Sequence, residues 1–239
     1  TGDIVDNYNS LTIFRYGDQD EQSWSIYKDL LTQLPEIPII EMVGNHDIFG
    51  IKSVTSHKNH IIDYTSFYNR DNVKNDADFT VKSFSPGPSL PTVIVINPIK
   101  FPTAHPPLHL YVQHPTKLLD QLESEINKSQ TKVILASHFP IGSIHSKKSS
   151  SGRRFVDIIG SDDSVLAFLS GHSHPSEPSV YHHGKGGIEI IGPNSYVDSR
   201  FGIVSIDNGC MAWTMIDTTN QLTGVMTYPI PKEQISKGS

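Results

Sequence analysis

Four short stretches of this 239-residue chain concentrate side chains that bind metal ions or move protons. The first is TGDIVD, with Asp3 and Asp6 behind a glycine. The second is GNHD, with Asn45, His46 and Asp47. The third is the lone His138 of ILASHFP, and the fourth is GHSH, with His172 and His174. Asp, Asn and His together offer oxygen and imidazole donors, which suit ions of borderline hardness such as Mn, Fe or Zn, whereas calcium takes oxygens alone. A carboxylate can bridge two ions, and an amide oxygen ligates without adding charge. Two ions about 3.5–4 Å apart share a hydroxide and clamp the oxygens of a phosphoryl group during in-line attack. The chemistry open to these residue types together is phosphoester hydrolysis. His172 and His174 are one residue apart, a spacing that sets both side chains on the same side of an extended segment.

These residues act together only if the chain brings them to one place, and the apolar runs predict how. Residues 21–34 put Trp24, Tyr27, Leu31 and Leu34 at helical spacing, and IPIIEMV (37–43) reads as a strand ending at the GNHD turn. A second helix is expected over HKNHIIDYTSFYN (57–69), followed by strands in DFTVKSF and TVIVIN. The proline-rich stretch Pro98–Pro115 reads as an ordered surface loop, and PTKLLDQLESEINK (115–128) lines up Leu118, Leu122 and Ile126 on one helical face. KVILAS ends at His138. After a Ser/Lys/Gly-rich loop and a short segment around RRFVDIIGS, VLAFLS ends at GHSH. From Gly187 on, GIEIIG, RFGIVSID and CMAWTMID are strands without helices between them, which points to antiparallel pairing. Each polar cluster therefore lies just past the C-terminal end of a strand, with Asp3 and Asp6 expected to follow a strand ahead of Thr1. In α/β sheets that edge is where ligand crevices form.

Composition narrows the classes. The length suffices for one large globular unit with a real core. A formal net charge of −6 and the lack of a dense Lys/Arg block exclude the basic footprint of a general nucleic-acid binder. The single Cys210 excludes an internal disulfide framework and a Cys-rich zinc module. The longest apolar run, TVIVINPI, falls well short of the roughly 18 residues of a membrane span.

GDIVD, GNHD, the strand-ending His138 and GHSH, in this order and each behind an apolar run, resemble the calcineurin-like metallophosphoesterase superfamily. The resemblance implies an α/β fold of two mixed β-sheets packed as a sandwich and flanked by helices. It also implies a metal-dependent phosphoester hydrolase in which a hydroxide shared by two metal ions attacks phosphorus in line. The cofactors would be two divalent or trivalent ions, Mn, Fe or Zn. Asp3 would bridge both ions, Asn45, His138 and His172 would complete one site, and His174 would belong to the other. His46 would be the general acid on the leaving oxygen, oriented by Asp6. The partner is a phosphoester substrate, with no specific nucleic-acid binding expected.

TGDIVD, GNHDIF, FPIGSI and NSYVDSRFGIVSID are further similar to the transmembrane protein 62-like phosphoesterases, in which a lumenal or extracellular catalytic domain precedes a β domain and membrane spans. That similarity implies a catalytic domain over 1–217 without its first strand, an extension over 218–239 leading to a following domain, and membrane association only through segments outside this chain. The sequon Asn127-Lys128-Ser129 suits a secretory-pathway protein. Family members carry an Asp-x-His at the end of the first strand, and no Asp-x-His occurs in this chain. One site then keeps Asp3, Asn45, His138 and His172, while the other keeps Asp3 and His174. The expectation is one tightly held ion and little turnover.

Taken singly, each stretch also has a plain structural explanation. Asp3 and Asp6 serve as turn and cap residues, Asn45–Asp47 as an Asx turn, and His138 as a buried polar group bonded to backbone. Four in order make coincidence a poor account. His57, His60, His105, His109, His114, His145, His182 and His183 are read as surface or loop histidines, His145 being the nearest to substrate among them. Lys147, Lys148, Arg153 and Arg154 read as solvated loop charges before phosphate ligands. Resemblance alone places Arg200 near the site edge. The alternative in another class is a non-catalytic member, the same sandwich kept as a binding ectodomain. A serine/threonine protein phosphatase would carry Arg-Gly after its GDxxD and Arg and Glu around its GNH, where this chain has Asn7-Tyr8 and Val43/Asp47. A serine hydrolase lacks its Gly-x-Ser-x-Gly elbow here.

Overall fold

TVIVI, VILAS and VLAFLS are apolar at nearly every position, the pattern of strands buried on both faces. In the computed structural model they form the centre of a six-stranded sheet. The structure describes residues 2–4, 20–34, 36–48, 51, 59–65, 68, 81–97, 115–140, 148–161, 163–175, 177–183, 187–193, 200–207, 210–217, 219 and 222–229. In chain order the elements are α1 (Glu21–Thr32), α2 (Ile61–Tyr64), β1 (Val81–Phe84), β2 (Thr92–Ile96), α3 (Pro115–Lys128) and β3 (Val133–Ser137), then α4 (Phe155–Ser161), β4 (Val165–Ser170), β5 (Ser179–His183), β6 (Gly187–Ile191), β7 (Arg200–Asp207), β8 (Cys210–Asp217) and β9 (Leu222–Pro229).

The large sheet runs β1-β2-β3-β4-β6-β5. Its four inner strands are mutually parallel, and β1 and β5 join antiparallel at the edges. One face packs under α3 and α4: Leu118, Leu119, Leu122 and Ile126 meet Ile94, Ile96, Val133, Leu135, Phe155 and Phe168. The other face meets the second sheet, β7-β8-β9, through Ile134, Leu166, Ala167 and Ile190 against Met211, Trp213 and Met215. The result is the expected α/β sandwich with helices outside. Pairing slips by one residue between Val133 and Ile134, so that Ile134 stands opposite Ala167 and Leu166 is the extra residue. Such a bulge lets consecutive side chains turn to one side, and both Leu166 and Ala167 enter the inter-sheet core.

Several elements differ from the sequence reading. Residues 37–43 carry no strand: Pro38 has no N–H to offer a ladder, and the Val43 N–H donates to the Asn97 side chain instead, at 3.1 Å. The helix expected over 57–69 is one turn, stopped by Thr65 in extended backbone with its hydroxyl on the Ile61 carbonyl; residues 57, 58, 66, 67 and 69 lie outside the described set. α1 ends at Thr32, so Leu34 leaves the inward stripe and is 52% exposed. Of the two histidines read as surface or loop residues, His182 is exposed and His183 half-buried, both on β5. β9, within the stretch set apart at 218–239, pairs along β8 and belongs to the second sheet. The loop expected over 98–115 falls outside the described residues except for Pro115, the first residue of α3.

Gly202 sits on the inner face of β7 under the Trp213 ring, where an added Cβ would stand 2.0 Å from Cζ2. Gly202→Val is expected to cost about 1–3 kcal/mol through overpacking, read as a lower denaturation midpoint in urea with an unchanged slope. Wild-type stability would mean that the ring does not cover this position.

Candidate metal centre

Because β2, β3 and β4 are parallel, the residues that follow them share one edge of the sheet. His138 follows β3 and is 2% exposed. Its carbonyl accepts the Gly171 N–H at 2.9 Å, which ties the end of β3 to the turn carrying His172 and His174. His172 and His174 hold φ of 66° and 47°, and Asp3 holds 52°. Non-glycine residues adopt this left-handed region at a cost of order 1–3 kcal/mol each and keep it where surrounding structure imposes it, commonly at functional sites.

The approach of Asp3 to the 44–46 turn depends on two glycines. A Cβ on Gly44 would stand 2.0 Å from Asp3 Oδ1 and 2.3 Å from the Asp3 nitrogen, and one on Gly2, at φ +77°, would stand 2.7 Å from His138 Nδ1. With that space left open, the His46 N–H donates to Asp3 Oδ1 at 2.9 Å. Asp47 is fully buried and its Oδ2 accepts the Gly44 N–H at 2.8 Å, closing the turn. This bond runs back from Asp47 to residue 44, not forward as in an Asx turn, and Asn45 is left to face His138.

At the centre is one nitrogen. His138 Nε2 lies 3.0 Å from Asn45 Oδ1, 3.1 Å from His172 Nδ1 and 3.3 Å from Asp3 Oδ2. An imidazole nitrogen either donates one hydrogen bond or accepts one, so at most one of the three contacts is an ordinary hydrogen bond. Donors bound to a single ion at about 2.0–2.2 Å stand roughly 3 Å from their neighbours, which is the spacing seen. Asp3, His138 and His172 each offer a ligand atom, all within 4.8 Å of one another. The donor set therefore fits a divalent ion.

The electrostatics agree. Burial, with His138 next to it, pushes His172 down to about 4, so the ring is neutral and its lone pair free at pH 7. Burial also pushes the Asp3 carboxyl above the usual carboxylate range, against the opposing pull of the His46 N–H and of the His46, His172 and His174 rings. A desolvated carboxylate amid imidazoles is a place where a cation lowers the cost of burial.

Of the residues expected from sequence, Asp3, Asn45, His138 and His172 come together. His46 contributes its backbone N–H and a half-exposed side chain. His174 is exposed, outside the three-ligand group yet close enough to act on Asp3 and His172. Asp6, His145 and Lys147 lie outside the described residues, as do His57, His105, His109 and His114. Arg153 and Arg154 pair with Glu123 at 3.1 Å and Asp157 at 2.8 Å, and Lys148 is exposed. Arg200 pairs at 2.9 Å with Glu177, three residues beyond His174. His183 Nε2 contacts the buried Glu189 at 3.1 Å. Sequence reasoning passed over Asn97. Asn97 had the same signal as His138, a polar residue ending an apolar strand.

A sequence profile described as Calcineurin-like phosphoesterase matches residues 1–176. No curated protein sequence matches the chain. Among solved structures, a dimetal phosphatase from Danio rerio is similar at a TM-score of 0.60 with 13% identity, over 96% of this chain and 82% of that one. A 5'-nucleotidase from Candida albicans SC5314 matches at a TM-score of 0.33 and 11% identity, over 66% of this chain and 28% of its own.

Proposed function

The chain belongs to the calcineurin-like phosphoesterase family, and from that premise we propose that it is a metal-dependent phosphoester hydrolase whose principal donors are Asp3, Asn45, His138 and His172. The observation that carries this reading is the set of three contacts at 3.0–3.3 Å on the single nitrogen His138 Nε2, more than one ordinary hydrogen bond accounts for and of the spacing a shared ion gives. Metal ions of the Mn, Fe or Zn class bound here supply Lewis acidity toward the phosphoryl oxygens and a nucleophile at neutral pH. The protein's own part is to hold the donors. Asp3 would serve both ions, and His174 would serve the second. The His46 N–H fixes Asp3 Oδ1, and the His46 ring delivers a proton to the departing oxygen, oriented by Asp6. Within the family we propose the transmembrane protein 62-like branch for the chain, on NSYVDSRFGIVSID and the residues that flank the motifs.

Among the described residues the second position has Asp3 and His174 to draw on. Elemental analysis after dialysis is expected to find at least one tightly held ion per chain. Turnover of an aryl phosphate and an aryl phosphodiester should stop on chelation. A chain that takes up no Mn, Fe or Zn would end this reading. Tight metal binding without turnover of either ester, even with added metal, would assign the non-catalytic alternative.

A further inference from the structure

Asn97 closes β2 at the edge that carries His138 and His172, and its side chain is almost fully buried. Its Oδ1 accepts the Val43 N–H at 3.1 Å, and its Nδ2 donates to the Tyr68 hydroxyl at 2.6 Å. Tyr68 is fully buried among Trp24, Ile48, Ile61 and Phe139, and burial raises its hydroxyl above the usual phenol range, so the group stays protonated and accepts through its lone pair. The Val43 N–H must have an acceptor, which determines which end of the amide faces it.

Among the described residues, 37–44 pair with no strand, and the bond from the Val43 N–H to the Asn97 side chain lies next to the turn that follows them. Val43 immediately precedes Gly44, Asn45 and His46, which supply the amide oxygen facing His138 and the N–H on Asp3. We propose that Asn97 is a positioning residue of the metal centre: its amide clamps Val43 and thereby holds Asn45 Oδ1 and the His46 N–H where the ion and Asp3 need them. This rests on the reading of Asn45 as a ligand. An amide suits the task because it accepts and donates at once from one planar group; aspartate only accepts, and leucine does neither.

The test is Mn2+ affinity by titration calorimetry, together with the visible spectrum of the Co2+-loaded protein, which reports the coordination of the ion without any turnover. Asn97→Leu is expected to lose on the order of 10–100-fold in Mn2+ affinity, the range for partners that orient ligands, and to shift the Co2+ bands, with its far-UV circular dichroism unchanged. Asn97→Asp keeps the acceptor for Val43 and lets the Tyr68 hydroxyl turn to donate, so it should recover much of that loss. Tyr68→Phe should lose less than Asn97→Leu, in the same direction. Asn45→Ala with Asn97→Leu should lose less than the sum of the two single losses, because Asn97 acts in part through Asn45. If Asn97→Leu does not fold, Tyr68→Phe and Asn97→Asp decide: weaker Mn2+ binding in Tyr68→Phe supports the clamp. Wild-type affinity and Co2+ bands in the folded variants would overturn it, as would additive losses in the double variant. Wild-type protein that binds no Mn2+ would instead sink the metal reading itself.

Discussion

His138→Ala is expected to leave a chain that retains no metal after dialysis and loses on the order of 10³-fold or more in phosphoester turnover, since removing an outer partner of a ligand alone costs 10–100-fold. The ring provides the one nitrogen that Asn45, His172 and Asp3 all face, so its loss leaves the remaining donors without a common centre. A binding readout separates this from simple unfolding. In wild-type protein, Mn2+ at 100 times its dissociation constant should stabilise the fold by about 2.7 kcal/mol, seen as a raised thermal transition. The variant should show a transition that Mn2+ does not move. A metal-dependent rise equal to that of wild type in His138→Ala would place the ion elsewhere.

His46→Ala should keep its metal and lose rate instead, on the order of 10²-fold or more for alkyl esters. An alkoxide leaving group needs a proton in the transition state, whereas a nitrophenolate hardly does, so the loss for aryl esters should be smaller. The structure supports separate effects for neighbouring residues. The backbone N–H of His46 holds Asp3 and survives the substitution, and Asn45 carries the oxygen that faces His138. Asn45→Ala should accordingly weaken Mn2+ binding. Equal losses of rate for alkyl and aryl esters in His46→Ala would argue against the acid role, and loss of metal in that variant would argue that the ring is a ligand.

The sequence alone determined what local pattern can encode. A strand buried on both faces must be apolar throughout, so β3 and β4 were legible in VILAS and VLAFLS, and the first histidines after them marked the sheet edge that holds the site. α3 was legible to its end residues because Leu118, Leu122 and Ile126 repeat at the helical period behind a proline. The residue types at the strand ends already named the chemistry. The tertiary structure decided what depends on contacts far apart in the chain. Asn45 and His172, two of the three partners of His138 Nε2, lie 93 and 34 residues away, and no spacing rule says which residues share one nitrogen. The apolar run 37–43 has the composition of a strand, yet its last N–H goes to a side chain 54 residues on, because an amide at the end of β2 offers it an acceptor. The left-handed backbone at Asp3, His172 and His174 is costly for each residue by itself and is imposed by the turns packed around it. Periodicity records which face of an element is buried. Which polar groups meet past its end depends on how the strands are ordered and where the chain crosses between them.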